Sequence, residues 1–544
     1  MSDQTEKLNE FAVNEGVIDG DTAEQIKNSQ KPTVIMPGGE TSITESATKL
    51  YGHIAPKKKL FLRDGNVCQL VERDGILKLE LLKPAAACSL FEDYVNFLKR
   101  VKVNNGTKLV PGVISKDTAD TYLAANAKCA LPEVDGLLSC PLITERGGKL
   151  HIVPTGYDPI TKLLIVKNVP LKDVAVTEAV DRLTEILQDF HFQTPGDSSR
   201  AIASLLTPAL KFGGFINGPI PADAAEADES QAGKSYRQQM TAAIYNDTCA
   251  VLTKPESAGV GSLEEAFGTA LVEGRPFIQF DNVRGKFSFQ RLESFMTAVG
   301  SFPARPAYSK VVQVVPSKFM IFISSNGYQT TPDLSNRSSI IRIFKRPGYE
   351  FKTWEPGGVY RGGMREFIQD AQPYILSCVF AVVREWYRQG KPRTKDTRHD
   401  MREWCQILDW IVQNIFHEAP LMDGHEAAQA RVSNPDHTFL RALALKLPQH
   451  QKMNEPLRAS ELFEICEEET IYIPGVAQHQ NHDEKIGSAL LGKLMKRVFG
   501  NADTAEVDVF TITRNKEKVS GESLHVYPAY FYTFRPTTEQ PAAE

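Results

Sequence analysis

The arrangement of apolar and polar positions predicts a mixed α/β unit in the first part of the chain. From Thr41 a helical spacing of apolar residues leads into β-rich runs joined by the Asp-Gly pairs at 64–65 and 74–75, which are hairpin signals. The stretch before it, to about Gln30, is polar and acidic and predicts a separate leader. Further helical segments are predicted at 91–98, 118–127, 179–190 and 199–211.

The middle of the chain has a different pattern, in which short β-rich runs alternate with helices between 219 and 344. This alternation is typical of parallel strands joined by crossover helices, so it predicts a parallel sheet. Beyond 347 the pattern is mainly helical, notably over 367–388 and 401–415. The chain then shows two more helices and a two-stranded pattern from 507 to 534.

These changes predict the division of the chain into segments. With 544 residues, the chain has room for about three or four domains. The predicted segments are a leader at 1–40, a mixed α/β N-terminal domain at 41–195, a parallel-sheet core at 196–350, a helical connector at 351–445, a helix-and-strand domain at 446–535 and a tail at 536–544.

Composition narrows the class of protein without adding a site. Hydrophobic residues make up 42% of the chain and charged residues 24%, which excludes a disordered or disulfide-framework protein. The net charge is −5, so nucleic-acid binding must come from local basic faces. Eight cysteines stand singly without a CxxC pair, as reduced thiols do, so no zinc site is expected. Because no apolar run approaches the about 18 residues of a membrane span, we expect a cytoplasmic protein with no membrane partner.

A phosphate-binding loop is indicated just before a helical run that starts near residue 236. Such a loop cradles phosphates with backbone N–H groups and a helix N-terminus, and it adds a lysine and a hydroxyl. Lys234 is placed to bind the β/γ oxygens and Ser235 to bind Mg²⁺. Asp228 stands where the full motif has its first glycine, so a chance turn is the alternative. The residues assigned to this loop are Gln231, Ala232, Gly233, Lys234 and Ser235.

Three residues downstream of the loop fit the same chemistry. An apolar run over 277–280 ends at Asp281, which is positioned to hold Mg²⁺ at the carboxyl edge of a parallel sheet. A second run over 319–323 leads to Asn326, which can orient an attacking water. Arg337 follows and is suited to stabilise charge on a γ-phosphate. Taken singly, the run that ends at Asp281 has the alternative of an ordinary core strand that ends in a turn. Arg337 has the alternative of a surface residue in a salt bridge.

In this order and spacing the residues resemble AAA+ ATPases of the helicase kind found in phages, plasmids and integrated elements, akin to superfamily III helicases. The resemblance implies an α/β fold with an AAA+ P-loop NTPase core, a mixed α/β N-terminal domain, a helical lid and a C-terminal winged helix. It spans roughly residues 40–530. The matching segments are 156–158 (Gly-Tyr-Asp), 205–208, 280–283, 304–306, 325–327, 333–337, 390–392 and 404–408.

The resemblance also implies an active site that uses ATP and Mg²⁺. Lys234, Asp281 and Asn326 act on the chain's own nucleotide, while Arg337 reaches the site of a neighbouring subunit. Asn282 stands where many AAA+ enzymes place a catalytic glutamate, and an amide can position a water but cannot accept its proton. Glu264 or Glu265, on the preceding helix, is a candidate for the missing carboxylate. A solvated helical face is the alternative for both.

DNA contacts are expected at two places. In the resembling helicases, the interval before Asn326 carries a hairpin that faces a central pore, and Tyr308 is a candidate for base stacking there. A plain surface loop is the alternative. In the C-terminal domain one face of a helix and a β-wing carry cations, though winged helices also serve as protein-contact modules. The expected DNA-binding residues are Arg305, Lys310, Lys493, Lys496, Arg497, Arg514 and Lys516.

The function expected from the sequence is an ATP-dependent DNA helicase or translocase. It would act as a homo-oligomeric ring, a hexamer, in the replication of a mobile genetic element. Single-stranded DNA would pass through the pore, duplex DNA would meet the winged helix, and a primase or other replication proteins would be partners. The alternative is a nucleotide-switched DNA-binding assembly factor, such as a helicase loader or origin-binding protein, with slow ATP hydrolysis.

Overall fold

The computed structural model shows a mixed α/β protein with a central parallel sheet and many helices. None of the described helices is long and apolar enough to cross a membrane. All eight cysteines are free thiols. The residues described are 22, 24, 29–104, 106–227, 232–253, 261–283, 286–306, 310–345, 364–471, 473, 484–500, 502–520 and 526–537.

The N-terminal part is built from short sheets and helices. Both Asp-Gly pairs adopt positive φ, with Asp64 at 47° and Asp74 at 53°, so the two predicted hairpins are confirmed. Two 3-10 turns cover Ala55–Lys57 and Asn126–Ala130. The elements are β1 (Thr33–Ile35), α1 (Ile43–Ile54), β2 (Leu60–Arg63), β3 (Asn66–Arg73), β4 (Ile76–Leu81), α2 (Pro84–Tyr94), β5 (Asn96–Val103), β6 (Gly106–Pro111), α3 (Lys116–Ala124), β7 (Gly136–Leu138), β8 (Leu142–Arg146), β9 (Lys149–Val153), β10 (Gly156–Asp158) and β11 (Leu163–Ile165).

The predicted helix at 91–98 is wrong in its second half. Helix α2 ends at Tyr94, and Asn96 begins β5, which pairs in parallel with β1. The change occurs because Phe97 turns into an aromatic core, where its ring stacks on Tyr122 at 6.0 Å between centroids. Tertiary pairing and burial here override a helical spacing that continued past the true end of the helix.

The central part carries the parallel sheet. Its strand order is β12-β21-β13-β19-β15-β14, and every pairing is parallel except that of the edge strand β12. The predicted parallel sheet is therefore confirmed. Its elements are α4 (Val176–Glu185), β12 (His191–Phe192), α5 (Pro195–Phe212), β13 (Ala222–Ala227), α6 (Lys234–Ile244), β14 (Ala250–Leu252), α7 (Leu263–Glu273), β15 (Phe277–Val283), β16 (Lys286–Phe287), α8 (Gln290–Thr297), β17 (Phe302–Ala304), β18 (Val312–Val314), β19 (Met320–Asn326), β20 (Gln329–Thr330), α9 (Pro332–Asn336) and β21 (Ser338–Phe344), with a 3-10 turn at Pro316–Lys318.

Register brings the carboxyl ends of three strands to one edge of this sheet. Ala227 at the end of β13 pairs with Asn326 at the end of β19. On the other side of β19, Phe280 of β15 pairs with Ile323. Strand β19 therefore lies between the strand that precedes the phosphate loop and the strand that carries Asp281.

Helices follow the sheet, as the sequence pattern predicts. Trp386 and Trp404 are buried in the core that these helices share with the sheet, and the Trp404 indole N–H donates to Thr207 of α5 at 3.0 Å. The helices are α10 (Met364–Asp370), α11 (Gln372–Arg388), α12 (Arg402–Asn414), α13 (His425–Ser433) and α14 (Pro435–Lys446).

The last part has its own hydrophobic core, which includes Leu443, Leu491, Ile512 and Phe534. Its sheet has three antiparallel strands rather than the predicted two, because β22 pairs with β23 ahead of the β23–β24 ribbon. Its elements are α15 (Ala459–Glu468), α16 (Glu484–Phe499), β22 (Thr504–Val507), β23 (Phe510–Ser520) and β24 (Val526–Pro536).

Two of the contacts that join the N-terminal part to the sheet region lie at the first hairpin. The Arg63 guanidinium is buried and donates from Nη2 to the Leu271 carbonyl at 2.6 Å, and burial lowers its pKa to about 10. The Asp64 carboxylate, on the first hairpin turn, accepts the backbone N–H of Gln313 in β18 at 2.7 Å. Two adjacent residues of this hairpin are therefore fixed to elements that surround the parallel sheet.

Candidate active site

Helix α6 begins directly at the predicted phosphate loop. Gly233 is its N-cap and has a φ of 88°, a left-handed conformation that glycine adopts without steric cost. The first N–H groups of a helix have no partner within it, and with the helix dipole they attract an anion. Ala232, Gly233, Lys234 and Ser235 therefore stand at an anion-binding helix start, while Gln231 lies outside the described residues.

The loop lysine contacts the predicted polar residue of the neighbouring strand. Lys234 Nζ donates to Asn326 Oδ1 at 2.5 Å. Lys234 is 8% exposed, whereas Asn326 is exposed at the very end of β19. The structure thus brings together two residues that the sequence separates by ninety-two positions.

A hydroxyl and a carboxylate meet beside this pair. Ser235 Oγ donates to Asp281 Oδ1, and Ser324 Oγ donates to the same oxygen at 2.6 Å. The two hydroxyl oxygens are 3.0 Å apart. A serine hydroxyl and a carboxylate oxygen are hard oxygen ligands of the type that Mg²⁺ takes alongside phosphates. Ser235 and Asp281 therefore fit the Mg²⁺ site expected from the sequence.

Ser324 is a site residue that the sequence analysis missed. Besides its bond to Asp281, its Oγ accepts the backbone N–H of Asn282 at 3.0 Å. It therefore fixes both residues at the end of β15. The sequence did hold one indication of this role. Ser324 lies two residues before Asn326, on a strand next to β15, and side chains at the same edge of a sheet lie close together.

Asp281 and Asn282 lie where the β15–β19 pairing loses its regular register. Pairing is regular up to Phe280 and resumes at Val283, with an irregularity between them. Asn282 has a φ of 51°, a left-handed conformation that asparagine tolerates better than most residues with a Cβ. This irregularity interrupts the alternation of side chains between the two faces of the sheet, and bulges of this kind are common next to active sites.

A buried polar network lies beneath the site and holds α6 on the sheet. Arg237 pairs with Asp223 of β13, and the side chain of Gln238 donates to the carbonyls of Asp223 and Ile323. Gln279 of β15 donates to Gln238 at 2.9 Å. All four polar side chains are buried, so the network fixes the helix start relative to three strands. The sequence analysis did not predict it.

The strand before the loop is also tied to the helical part. Glu226, the next-to-last residue of β13, accepts from Arg431 of α13 at 2.6 Å, and both are buried. Although burial opposes its charge, the Glu226 carboxylate holds the pKa of Arg431 above its ordinary value. The end of β13 and helix α13 are therefore linked by a charged pair.

The two candidate carboxylates on α7 have other partners. Glu265 caps its own helix, since its carboxylate accepts the Gly261 N–H at 2.9 Å. Glu264 lies 3.3 Å from the Arg291 guanidinium and is largely exposed. Within the described part of the chain neither glutamate bonds to Lys234 or Asp281, so the identity of the base remains a prediction.

The predicted arginine finger is held by its own chain. Arg337 donates to the Glu293 carbonyl and to the Asp333 carboxylate, both at 2.7 Å. Its side chain is 19% exposed. Arg342, the next arginine along the chain and the other candidate for the finger, is 1% exposed and donates to Gln193 inside the fold. A neighbouring subunit could not meet Arg342 without opening the core.

The hairpin expected before Asn326 is present. Strands β17 and β18 pair in antiparallel fashion, from Phe302 with Val314 to Ala304 with Val312. Arg305 and Lys310 follow and precede these strands near the tip, and both are exposed. Tyr308 lies outside the described residues. The contact of this hairpin with DNA stays a prediction.

The C-terminal cations do not form the single free face that the sequence suggests. Lys493 and Lys496 are exposed on α16, but Arg497 pairs with Asp436 through both carboxylate oxygens. On β23, Arg514 packs against the rings of Phe499 and Tyr530 at 5.2 Å, and Lys516 is exposed. The helical spacing could not reveal these partners, which come from distant parts of the chain.

Comparisons with known proteins add a likeness of overall shape. No protein-family model and no curated protein matches the chain. Among solved structures it is similar to the A-form apo structure of the NrS-1 C-terminal region, with 13% identity over 90% of this chain and 98% of that one, at a TM-score of 0.34. It is also similar to an SCCmec type IV Cch active helicase, with 10% identity over 88% and 97%, at a TM-score of 0.27.

A third similar structure is a JCV helicase bound to a small molecule, with 13% identity over 47% of this chain and 71% of that one, at a TM-score of 0.21. Two of these three structures are helicases by their descriptions. With identities of 10–13% and TM-scores of 0.21–0.34, these likenesses carry no argument about function, which rests on the geometry of the chain itself.

Proposed function

We propose that the chain is an AAA+-type ATP hydrolase that moves along DNA, acting as a helicase or translocase. One observation carries this proposal. The start of α6, the Lys234–Asn326 contact and the Ser235–Asp281 contact converge at the carboxyl edge of one parallel sheet. Ligands bind in open α/β sheets at this edge, and this combination of groups serves phosphoryl transfer.

Each residue has a distinct role in the proposed reaction. Lys234 and the first N–H groups of α6 hold the phosphates, and Ser235 and Asp281 hold Mg²⁺. When bound, the metal neutralises charge on the phosphate oxygens. Asn326 orients the attacking water against the γ-phosphate. Its Oδ1 can take this part once Lys234 turns from it to the phosphates.

The proposal extends to an assembly and a cellular role, both of which come from the resemblance. The chain forms a hexameric ring in which Arg337 completes the site of the next subunit. DNA meets the β17–β18 hairpin in the pore and the C-terminal part, a winged helix, outside it. The role is replication of a mobile genetic element in the cytoplasm, with a primase or other replication proteins as partners.

The test combines ATP hydrolysis with strand displacement. The wild-type chain should hydrolyse ATP faster when single-stranded DNA is added, and it should displace an annealed labelled strand only with ATP and Mg²⁺. Lys234→Ala should abolish both activities yet keep the thermal unfolding profile. Lys310→Ala, which removes an exposed lysine outside the nucleotide site, should keep DNA-independent hydrolysis. Equal hydrolysis by wild-type and Lys234→Ala chains would refute the proposal.

A second candidate function is favoured by one observation. Asn282 follows Asp281, and both α7 glutamates are bound elsewhere, so neither glutamate is in place to take a proton from the attacking water. A slow hydrolase could use nucleotide as a switch, as a helicase loader or origin-binding protein does. In that case DNA binding would depend on bound nucleotide, while strand displacement would be absent.

A further inference from the structure

A second concavity lies in the C-terminal part of the chain, between α16, the start of α15 and the β23–β24 strands. Its volume is about 690 Å³, within the range of pockets that hold small ligands. All its lining residues fall between 458 and 532. It therefore shares no residue with the nucleotide site at the sheet edge.

Each wall of this pocket contributes a cation. Arg458 comes from the start of α15, Lys496 from α16 and Arg514 from β23, and the lining includes no carboxylate. Arg514 does approach Asp503 at 3.4 Å, but that side chain is 83% exposed and stays hydrated. The Arg514 Nε–H is buried and has no acceptor among the described residues. The Arg514 Nη2 donates to the Ala502 carbonyl at 2.9 Å. The lining of the pocket therefore carries positive charge and no carboxylate, which favours an anionic ligand.

The floor of the pocket is made of small residues. Ser488, Ala489 and Gly492 lie on the exposed face of α16. A Cβ added at Gly492 would meet no heavy atom within 4 Å. Glycine lowers the stability of a helix interior. Because the space beside Gly492 is open, close packing within the chain does not explain why a glycine stands there. Small side chains instead leave room for a ligand to approach the helix backbone.

Aromatic surface completes the pocket. Tyr530 and Tyr532 line it, and Tyr530 is 45% exposed. Cations beside a half-exposed aromatic ring are the combination with which proteins bind single strands, since the cations take the phosphates and the ring takes a base. A duplex presents its bases only as edges in grooves, so it cannot lay a base against the Tyr530 ring.

We propose that this pocket binds one phosphorylated nucleoside of a single nucleic-acid strand. The phosphate lies toward Lys496 and Arg514, and the base lies on Tyr530. The inference deepens the proposed function and rests on it for the identity of the polymer. It replaces the expectation that α16 enters a duplex groove through Lys493, Lys496 and Arg497.

Ion pairing elsewhere distinguishes this pocket from other basic parts of the chain. The stretch over 384–402 carries many cations, yet they are neutralised nearby, as Lys391 is by Glu145 and Arg393 by Glu403. On α16 itself, Arg497 is held by Asp436. Lys496 has no ion-pair partner among the described residues. The Lys496 ammonium at the pocket is therefore available to an anionic ligand.

The test measures binding of a short fluorescein-labelled oligo-dT by anisotropy at fixed ionic strength without ATP. The full-length Lys234→Ala chain is used, so that the nucleotide site cannot contribute. Gly492→Leu should fill the pocket and abolish pocket-dependent binding, whereas Gly492→Ala should keep it. Tyr530→Leu should weaken binding by about 5- to 150-fold, the range for loss of one base stack. Lys496→Ala should weaken binding more than Lys493→Ala, which removes a lysine outside the pocket.

Several outcomes would overturn the proposal. They are wild-type affinity in Gly492→Leu, equal losses in the two lysine variants, tighter binding of duplex than of single strand, and competition by dTMP as strong as by the unlabelled strand. The last would indicate a mononucleotide site. Failure of the proposed ATPase function would appear separately, as unchanged ATP hydrolysis in Lys234→Ala, because the binding test involves no hydrolysis.

Discussion

Lys234 and Asn326 are bonded to each other through Nζ and Oδ1 at 2.5 Å. The ammonium group of the lysine in the proposed phosphate loop therefore already has an acceptor inside the protein. We expect a bound phosphate to compete with this acceptor for the three N–H donors of the ammonium, and the exchange frees the Asn326 amide at the same moment. A single exchange thus couples occupation of the loop to the group proposed to orient the water.

Asn326→Asp should weaken ATP binding. A carboxylate at this position would hold the Lys234 ammonium as an ion pair and would repel the γ-phosphate. We expect the Kd for a fluorescent ATP analogue to rise by about tenfold or more, as for loss of a charge-assisted hydrogen bond. Asn326→Ala, which releases the lysine, should bind nearly as tightly as wild type. Equal affinities in the two variants would contradict the coupling.

Ser324→Ala should weaken Mg²⁺ binding in the presence of nucleotide. Ser324 donates to Asp281 and accepts from the Asn282 backbone, so its removal loosens a metal ligand. Loss of such a supporting contact typically costs 10- to 100-fold in metal affinity, and the Mg²⁺ dependence of ATP hydrolysis measures it. Ser325→Ala is the matched control, because Ser325 is equally buried but donates to the Val283 carbonyl. Similar Mg²⁺ dependence in both variants would argue against the role of Ser324.

Glu265→Gln separates a chemical role from a capping role. Glutamine can still accept the Gly261 N–H, so the helix start should keep its stability. If Glu265 supplies the base, ATP should bind normally and turnover should fall by about 10²- to 10⁴-fold. Single-turnover hydrolysis measures this step. Unchanged turnover in both Glu265→Gln and Glu264→Gln would exclude the two glutamates as the base. Asn282 would then be the next residue to test.

Arg337→Ala should keep ATP affinity and lose hydrolysis by about 10³-fold or more, as expected for an arginine finger. In the chain itself Arg337 is bound to the Glu293 carbonyl and Asp333. Asp333→Ala is the companion variant, because it removes one internal partner and should leave the finger functional. Steady-state ATPase rates at saturating ATP give the comparison.

Mixing experiments test whether the site is shared between subunits. Arg337→Ala and Lys234→Ala chains are each inactive, but a mixed interface contains one intact lysine loop and one intact finger. Their mixture should therefore regain part of the ATPase rate. No recovery, together with a monomeric species in the presence of ATP, would show that the site is complete within one chain.

Acid should destabilise the fold through two buried histidines. His399 and His425 both approach the Ser338 carbonyl and lie beneath the sheet. Burial lowers the pKa of His399 from 6.5 to about 4 and that of His425 below its ordinary value, with Arg200 opposing protonation of both. The folded protein therefore keeps them neutral while the unfolded chain takes up protons.

The free energy of unfolding should accordingly be independent of these groups above pH 6.5 and should fall as the pH drops toward about 4. The His399 contribution is at most about 3 kcal/mol. Urea unfolding at several pH values measures it. His399→Ala lowers stability at every pH but should flatten this slope, and an unchanged slope would assign the acid sensitivity to other groups.

Short-range patterns in the sequence predict much of the fold. The Asp-Gly pairs predict both N-terminal hairpins because a tight turn needs residues that accept positive φ. Alternating β-rich and helical runs predict the parallel sheet, and strand ends within it predict that Asp281 and Asn326 share an edge. These features depend on neighbours in sequence or on a general rule of sheets, so no tertiary detail is required.

Other features depend on partners that are far away in sequence. The end of α2 at Tyr94 is set by the pairing of β5 with β1, which a helical spacing cannot reveal. Likewise, the sequence presents Arg497 as a free cation, but the fold places Asp436 beside it. The sequence presents Ser324 as an ordinary strand residue, but the register of β19 against β15 brings it to Asp281. In each case long-range geometry decides what the side chain does.

The hydrogen bond between the Asp64 carboxylate and the Gln313 N–H has a mechanical consequence. Gln313 belongs to the hairpin proposed to touch DNA, whereas Asp64 belongs to the N-terminal part. Any displacement of that hairpin must either carry the N-terminal part along or break this bond. The N-terminal part therefore resists movement of the hairpin, and the strength of this bond determines how much of each movement reaches the N-terminal part.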